Sequence, residues 1–102
     1  MFEAWQNENS VWIIRFGALK VDVVSTVARA FRLAYALNAE PGARDLARRL
    51  DSEDWTVPGS RSWSDLWGYT DEVEALRDAG KPFSDIQQAA ADLLATVARL
   101  RR

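Results

Sequence analysis

The stretch Val11-Trp12-Ile13-Ile14-Arg15-Phe16-Gly17-Ala18-Leu19-Lys20-Val21-Asp22-Val23-Val24 decides the fold. Gly17-Ala18 has the form of a two-residue hairpin turn, in which glycine takes the first position without steric cost. Folding the chain there pairs Phe16 with Leu19, Arg15 with Lys20, Ile14 with Val21, Ile13 with Asp22 and Trp12 with Val23. One face then carries Trp12, Ile14, Phe16, Leu19, Val21 and Val23, all apolar. The other carries Val11, Ile13, Arg15, Lys20, Asp22 and Val24. A one-residue slip would mix the two sets, so the pattern specifies its own register. Arg15 opposite Lys20 is a like-charge pair, and Asp22, diagonal to Arg15, is placed to offset it.

Upstream, residues 2–6 supply a first strand and Asn7-Glu8-Asn9-Ser10 a turn-rich connection. A three-residue loop would put Phe2 and Ala4 on the core face, and a four-residue loop would put Trp5 there. Both registers remain open at this level. Downstream, Ser25 or Thr26 caps a helix to about residue 38. Only Arg29 and Arg32 interrupt its apolar surface, which predicts a central helix between the sheet and later helices. Pro41 suits the first turn of a second helix, about 41–50. Residues 51–62 read as a loop around Pro58-Gly59-Ser60. A third helix is expected over about 64–79, open to a break near 68–70, where Gly68 weakens it and Thr70 is the candidate cap. Gly80 before Lys81-Pro82 ends it. Ser84 with Gln87 forms a capping box for a last helix, about 84–101.

The expected fold is therefore α+β: a three-stranded antiparallel β-meander (about 2–6, 11–16 and 19–24), then about four helices, in one compact domain spanning 1–102. The 48 % hydrophobic and 27 % charged content is that of an ordinary globular chain. No apolar run approaches the ~20 residues of a membrane span, and the first residues lack the basic and apolar parts of a signal peptide. A cytoplasmic location is the resulting expectation. Heavy use of alanine and arginine in the helices fits a GC-rich bacterial or phage genome.

Histidine and cysteine are both absent. Their absence removes the commonest acid–base group near neutral pH, thiolate nucleophiles, disulfides and Cys/His zinc sites. Asp51, Glu53 and Asp54 lack the spaced ligands and central glycine of a calcium loop. Ser60, Ser62 and Ser64 have no adjacent base. The five glycines are scattered rather than gathered in a phosphate-binding loop. No enzyme, metal or cofactor is expected.

The candidate partner-binding residues are Trp55, Arg61, Trp63, Trp67 and Tyr69, because Trp and Arg dominate interface hot spots and loops on rigid scaffolds carry such sites. The competing reading is that Trp63 and Trp67, four residues apart, close the core. Leu46-Ala47-Arg48-Arg49-Leu50 with Thr56-Val57 has the spacing of a helix-turn-helix. Asp51 in place of the turn glycine, the acidic Glu53 and Asp54, and the break at Pro58-Gly59 all count against it. The Ile86, Ala90, Leu93, Val97, Leu100 stripe fits either the chain's own core or a dimer seam.

The functional expectation is a small non-enzymatic module acting by contact with another protein, of the inhibitor, antitoxin, immunity or accessory-regulator kind, phage-encoded ones included. The alternative is a nucleic-acid-associated accessory protein using Arg15, Lys20, Arg48 and Arg49, although a net charge of −2 gives no global positive field. A third expectation is a homodimer formed through the outer sheet face or the last helix.

Overall fold

The hairpin forms around Gly17-Ala18 as its sequence predicts, and the rest of the fold is built on it. The computed structural model describes residues 1–52 and 66–102. Strands β1 (Glu3–Gln6), β2 (Trp12–Phe16) and β3 (Leu19–Val24) form an antiparallel sheet in the order β1-β2-β3. Helices α1 (Val27–Ala39), α2 (Ala43–Ser52), α3 (Thr70–Asp78) and α4 (Asp85–Leu100) follow, with a 3-10 turn at Trp67–Tyr69 leading into α3. This is the α+β arrangement that the sequence predicts.

The β1–β2 connection answers the register question. Asn7 N–H donates to Val11 O at 2.9 Å, leaving a three-residue loop. The Asn7 side-chain oxygen accepts from Asn9 and Val11 N–H, and Ser10 takes the left-handed conformation that such loops require (φ 62°). Phe2 is consequently buried and Trp5 lies on the outer face.

The β2–β3 register departs from expectation after two pairs. Phe16 faces Leu19 and Arg15 faces Lys20, but Ile14 then faces Asp22, Ile13 faces Val23 and Trp12 faces Val24. Val21 is an extra residue, a β-bulge, and it shifts the alternation of everything after it by one step. Val24 rather than Val23 therefore joins the core, and Asp22 turns to the core side with 5 % of its surface exposed. There it meets Arg101 at 3.2 Å instead of offsetting Arg15, which pairs with Glu3 at 3.7 Å.

Gly17 has φ +60°, and a Cβ there would strike the Asp51 carboxylate. That carboxylate accepts from Ala18 N–H at 3.0 Å, so the hairpin tip docks on the last turn of α2. This contact explains why Asp51, expected to open a loop, is still helical. Pro41 does not start α2. It occupies a type II turn with Gly42 (φ +82°), closed by Ala43 N–H to Glu40 O at 3.3 Å.

Thr26 caps α1 by accepting from Arg29 N–H at 3.3 Å. Thr70 does not cap α3: it is helical, and its hydroxyl donates back to Trp67 O at 2.8 Å. Gly80 ends α3 in a Schellman motif, with Lys81 N–H to Leu76 O and Gly80 N–H to Arg77 O. The Ser84–Gln87 capping box is formed in full.

One buried cluster joins these parts. Ile14, Phe16, Leu19, Val21 and Val24 of the sheet meet Ala30, Leu33, Ala34 and Leu37 of α1. Ala47 and Leu50 of α2 join Ala90, Leu93 and Val97 of α4 in the same cluster. The α4 stripe that could have been a dimer seam is thus in the chain's own core. Helix α1 is not the central helix expected: only one face is buried, while Val27, Phe31 and Tyr35 are exposed. The later helices pack on one another and along one flank of α1, and no described element covers the other.

Candidate binding surface

Val27, Phe31 and Tyr35 are spaced i, i+4, i+8, so they form a single row along α1. Their exposures are 48 %, 57 % and 78 %, and a row with two aromatic rings this open is unusual on an apolar helix. Trp12 reaches across from β2 to lie against Phe31, with ring centroids 5.8 Å apart. Below the row, an open groove of about 530 Å³ runs between α1 and β1. Phe31, Ala34, Tyr35 and Asn38 form its helix side, and Phe2 and Ala4 are among its strand side. The alanines are what make it a groove: larger side chains there would fill it.

Beside the groove lies a strand edge. β1 pairs only with β2 in the described sheet, so its other side is an edge. Asn38 shows which backbone groups point that way. Its side-chain oxygen accepts from Phe2 N–H at 2.7 Å, and its amide donates to Phe2 O at 3.0 Å, as a neighbouring strand would. Backbone polarity alternates along an antiparallel strand, so Ala4 and Gln6 present their N–H and C=O groups in the same outward direction. The edge carries no proline, and its one charged residue, Glu3, is paired with Arg15 of β2.

The residues expected from sequence fall elsewhere. Trp55, Arg61 and Trp63 lie outside the described residues. Trp67 is half-buried at the start of the 3-10 turn. Tyr69, expected at the surface, is 2 % exposed and part of the core. A hydrogen bond from Leu66 N–H to Lys20 O at 2.7 Å holds the start of this segment against β3, and Tyr69 packs with the core cluster.

The basic set is not a free patch. Arg15 pairs with Glu3 and lies 5.1 Å over the Trp5 ring. Arg48 pairs with Asp45 at 3.0 Å. Lys20 and Arg49 are exposed, Lys20 beside Arg15 on the hairpin and Arg49 on α2. No group of three carboxylates converges among the described residues, and no described helix is long and apolar enough to cross a membrane.

Comparison of the chain with known protein families, with curated proteins and with solved structures finds no match.

Sequence reading missed the row because Val27, Phe31 and Tyr35 look like core residues in composition. The available signal was angular: they lie on a different row from Ala30, Leu33, Ala34 and Leu37. Which row is covered depends on where the other helices pack, and no local pattern encodes that.

Proposed function

We propose that the chain is a non-enzymatic binding module that captures an extended segment of another protein along β1. The segment would add a strand at Ala4 and Gln6 and seat its apolar side chains on Phe31 and Tyr35. The observation that carries this reading is an exposed aromatic row lying beside a strand edge with outward backbone groups. Strand addition supplies affinity through main-chain hydrogen bonds and specificity through pockets for alternate side chains. Exposed aromatics are the residues that anchor such contacts. Inhibitors, immunity proteins and accessory regulators act by contact with another protein, which such a capture would supply. Nucleic-acid contact through Arg15, Lys20, Arg48 and Arg49 has less support, since Arg15 and Arg48 already face carboxylates.

The test is to pan a display library of random peptides on the immobilised chain and titrate the selected peptides into labelled protein. The expected peptides alternate apolar and polar residues, shift the amide signals of Ala4 and Gln6, and bind the double variant Phe31→Ser, Tyr35→Ser at least about tenfold more weakly. Equal binding to the double variant overturns the proposal. So does a concentration-dependent dimer, seen by light scattering and lost on Tyr35→Asp, because a second copy would then be the occupant.

A further inference from the structure

On the other flank of α1 lies a concavity of a different chemistry. It has a volume of about 300 Å³ and brings together Arg29 and Arg32 of α1 with Arg101 and Arg102, which follow α4. Leu33 and Leu100 contribute its apolar lining. Among the described residues, no carboxylate pairs with Arg29, Arg32 or Arg102. Arg101 is held by one 3.2 Å hydrogen bond to the buried Asp22. A guanidinium has five N–H donors in a fixed fork, so that bond orients Arg101 while leaving most of its donors for the cleft.

The location adds to the charge. Arg29 is in the first turn of α1, which contains no acidic residue. The positive end of a helix favours anions, so an arginine there is electrostatically unfavourable unless an anion lies between. Thr26 satisfies only the Arg29 N–H, and the preceding first-turn amides have no partner within the helix. The negative end of α4 accounts for Arg101 and Arg102 but does nothing for Arg29 and Arg32. Arg101 is paired with Asp22, so among the described residues Arg29, Arg32 and Arg102 stand without a carboxylate around one concavity beside the start of α1, an arrangement suited to a compact, multiply charged anion.

A second hollow of about 360 Å³ adjoins the first and shares Val24, Ser25 and Arg101 with it. Val11 and Val23 add to its apolar character, and the Ser10 and Ser25 side chains lie at its rim.

We propose that the arginine cleft binds the phosphoryl group of a small phosphate ester, with the organic part of the ester in the adjoining valine-lined hollow. A phosphoryl group carries close to two charges and three acceptor oxygens, matching several guanidinium forks at once. A nucleic-acid backbone needs a track of cations spread along the surface. Here the four arginines line a single concavity on a chain whose net charge is −2. The site is separate from the α1–β1 groove, so each can fail without the other.

The experiment titrates the full chain at ~0.15 M salt with inorganic phosphate, phenyl phosphate and a single-stranded oligonucleotide, read by amide chemical shifts and calorimetry. The expected result is saturable one-site binding, tighter for phenyl phosphate than for inorganic phosphate, with shifts confined to residues around 24–32 and 100–102. Arg29→Gln with Arg32→Gln should weaken it about tenfold or more while leaving peptide capture at β1 unchanged. Both arginines are exposed, so the variant is expected to fold. Binding that is unsaturable, or equal in the double variant, overturns the proposal. An oligonucleotide that binds more tightly than phenyl phosphate, with a steep salt dependence, overturns it in favour of a nucleic-acid surface.

Discussion

Burial of Asp22 leaves its Oδ2 without a hydrogen-bond partner among the described residues, while Oδ1 accepts from Arg101. Removal from water raises the carboxyl pKa, and this outweighs the opposing pull of the Arg101 charge and the Val23 N–H. A carboxyl whose pKa is higher folded than unfolded binds protons on folding. Its contribution to stability is therefore least favourable well above the raised pKa and improves as pH falls through it. Asp22→Asn keeps an acceptor for Arg101 and removes the buried charge. The expected outcome is a variant more stable at pH 7 by about 1 kcal/mol, raising Tm by roughly 4–8 °C, with the gap to the parent narrowing as pH falls. A lower Tm at pH 7, read by circular dichroism, would show that the ion pair outweighs the desolvation.

At the scale of elements, the local signals were legible where the chain satisfies its own backbone. Gly17-Ala18, the Ser84–Gln87 box, the Gly80 stop and the Asn7–Ser10 loop each act within a few residues, and each forms. The bulge at Val21 was not legible, because Leu19-Lys20-Val21-Asp22-Val23-Val24 alternates well enough in either phase at its end. What selects the phase is remote: Val24 gains a place in the core, and the Asp22 carboxylate that is thereby turned inward is partly offset by Arg101, distant in sequence. The end of α2 has a remote cause too, since Ala18 supplies the donor for Asp51. Gly17→Ala therefore tests two elements together. It adds a Cβ at positive φ and displaces the Asp51 carboxylate, so it should cost about 1–3 kcal/mol. The check is a lower denaturant midpoint with an unchanged slope. An unaltered midpoint would show that the hairpin tip and α2 are not coupled.

At the scale of the whole molecule, Leu66 ties the chain after α2 to the sheet. It is fully buried, and its N–H donates to Lys20 O in β3. Because the buried residues of sheet and helices form one cluster, Leu66→Ala is expected to destabilise the whole chain, by about 2–5 kcal/mol, rather than loosen one segment. Far-UV circular dichroism and tryptophan fluorescence should still report one shared transition; two separated transitions would show that the helices and the sheet unfold independently.

Sequence alone determined the class of this fold, a β-meander followed by helices, because hairpin turns, caps and apolar periodicity act over short distances. It also marked most of the apolar residues that form the core, and picked out the α4 stripe as one apolar row, since a residue's apolar character and its period along a helix are local properties; that this row lies in the chain's own core was decided by packing. Tertiary structure alone decided which apolar row of α1 stays uncovered, which way Asp22 faces, and that Arg29 and Arg32 meet Arg101 and Arg102. These outcomes depend on how helices pack against one another across the molecule. Burial and electrostatic fields add up in three dimensions, so residues far apart in the chain set them jointly.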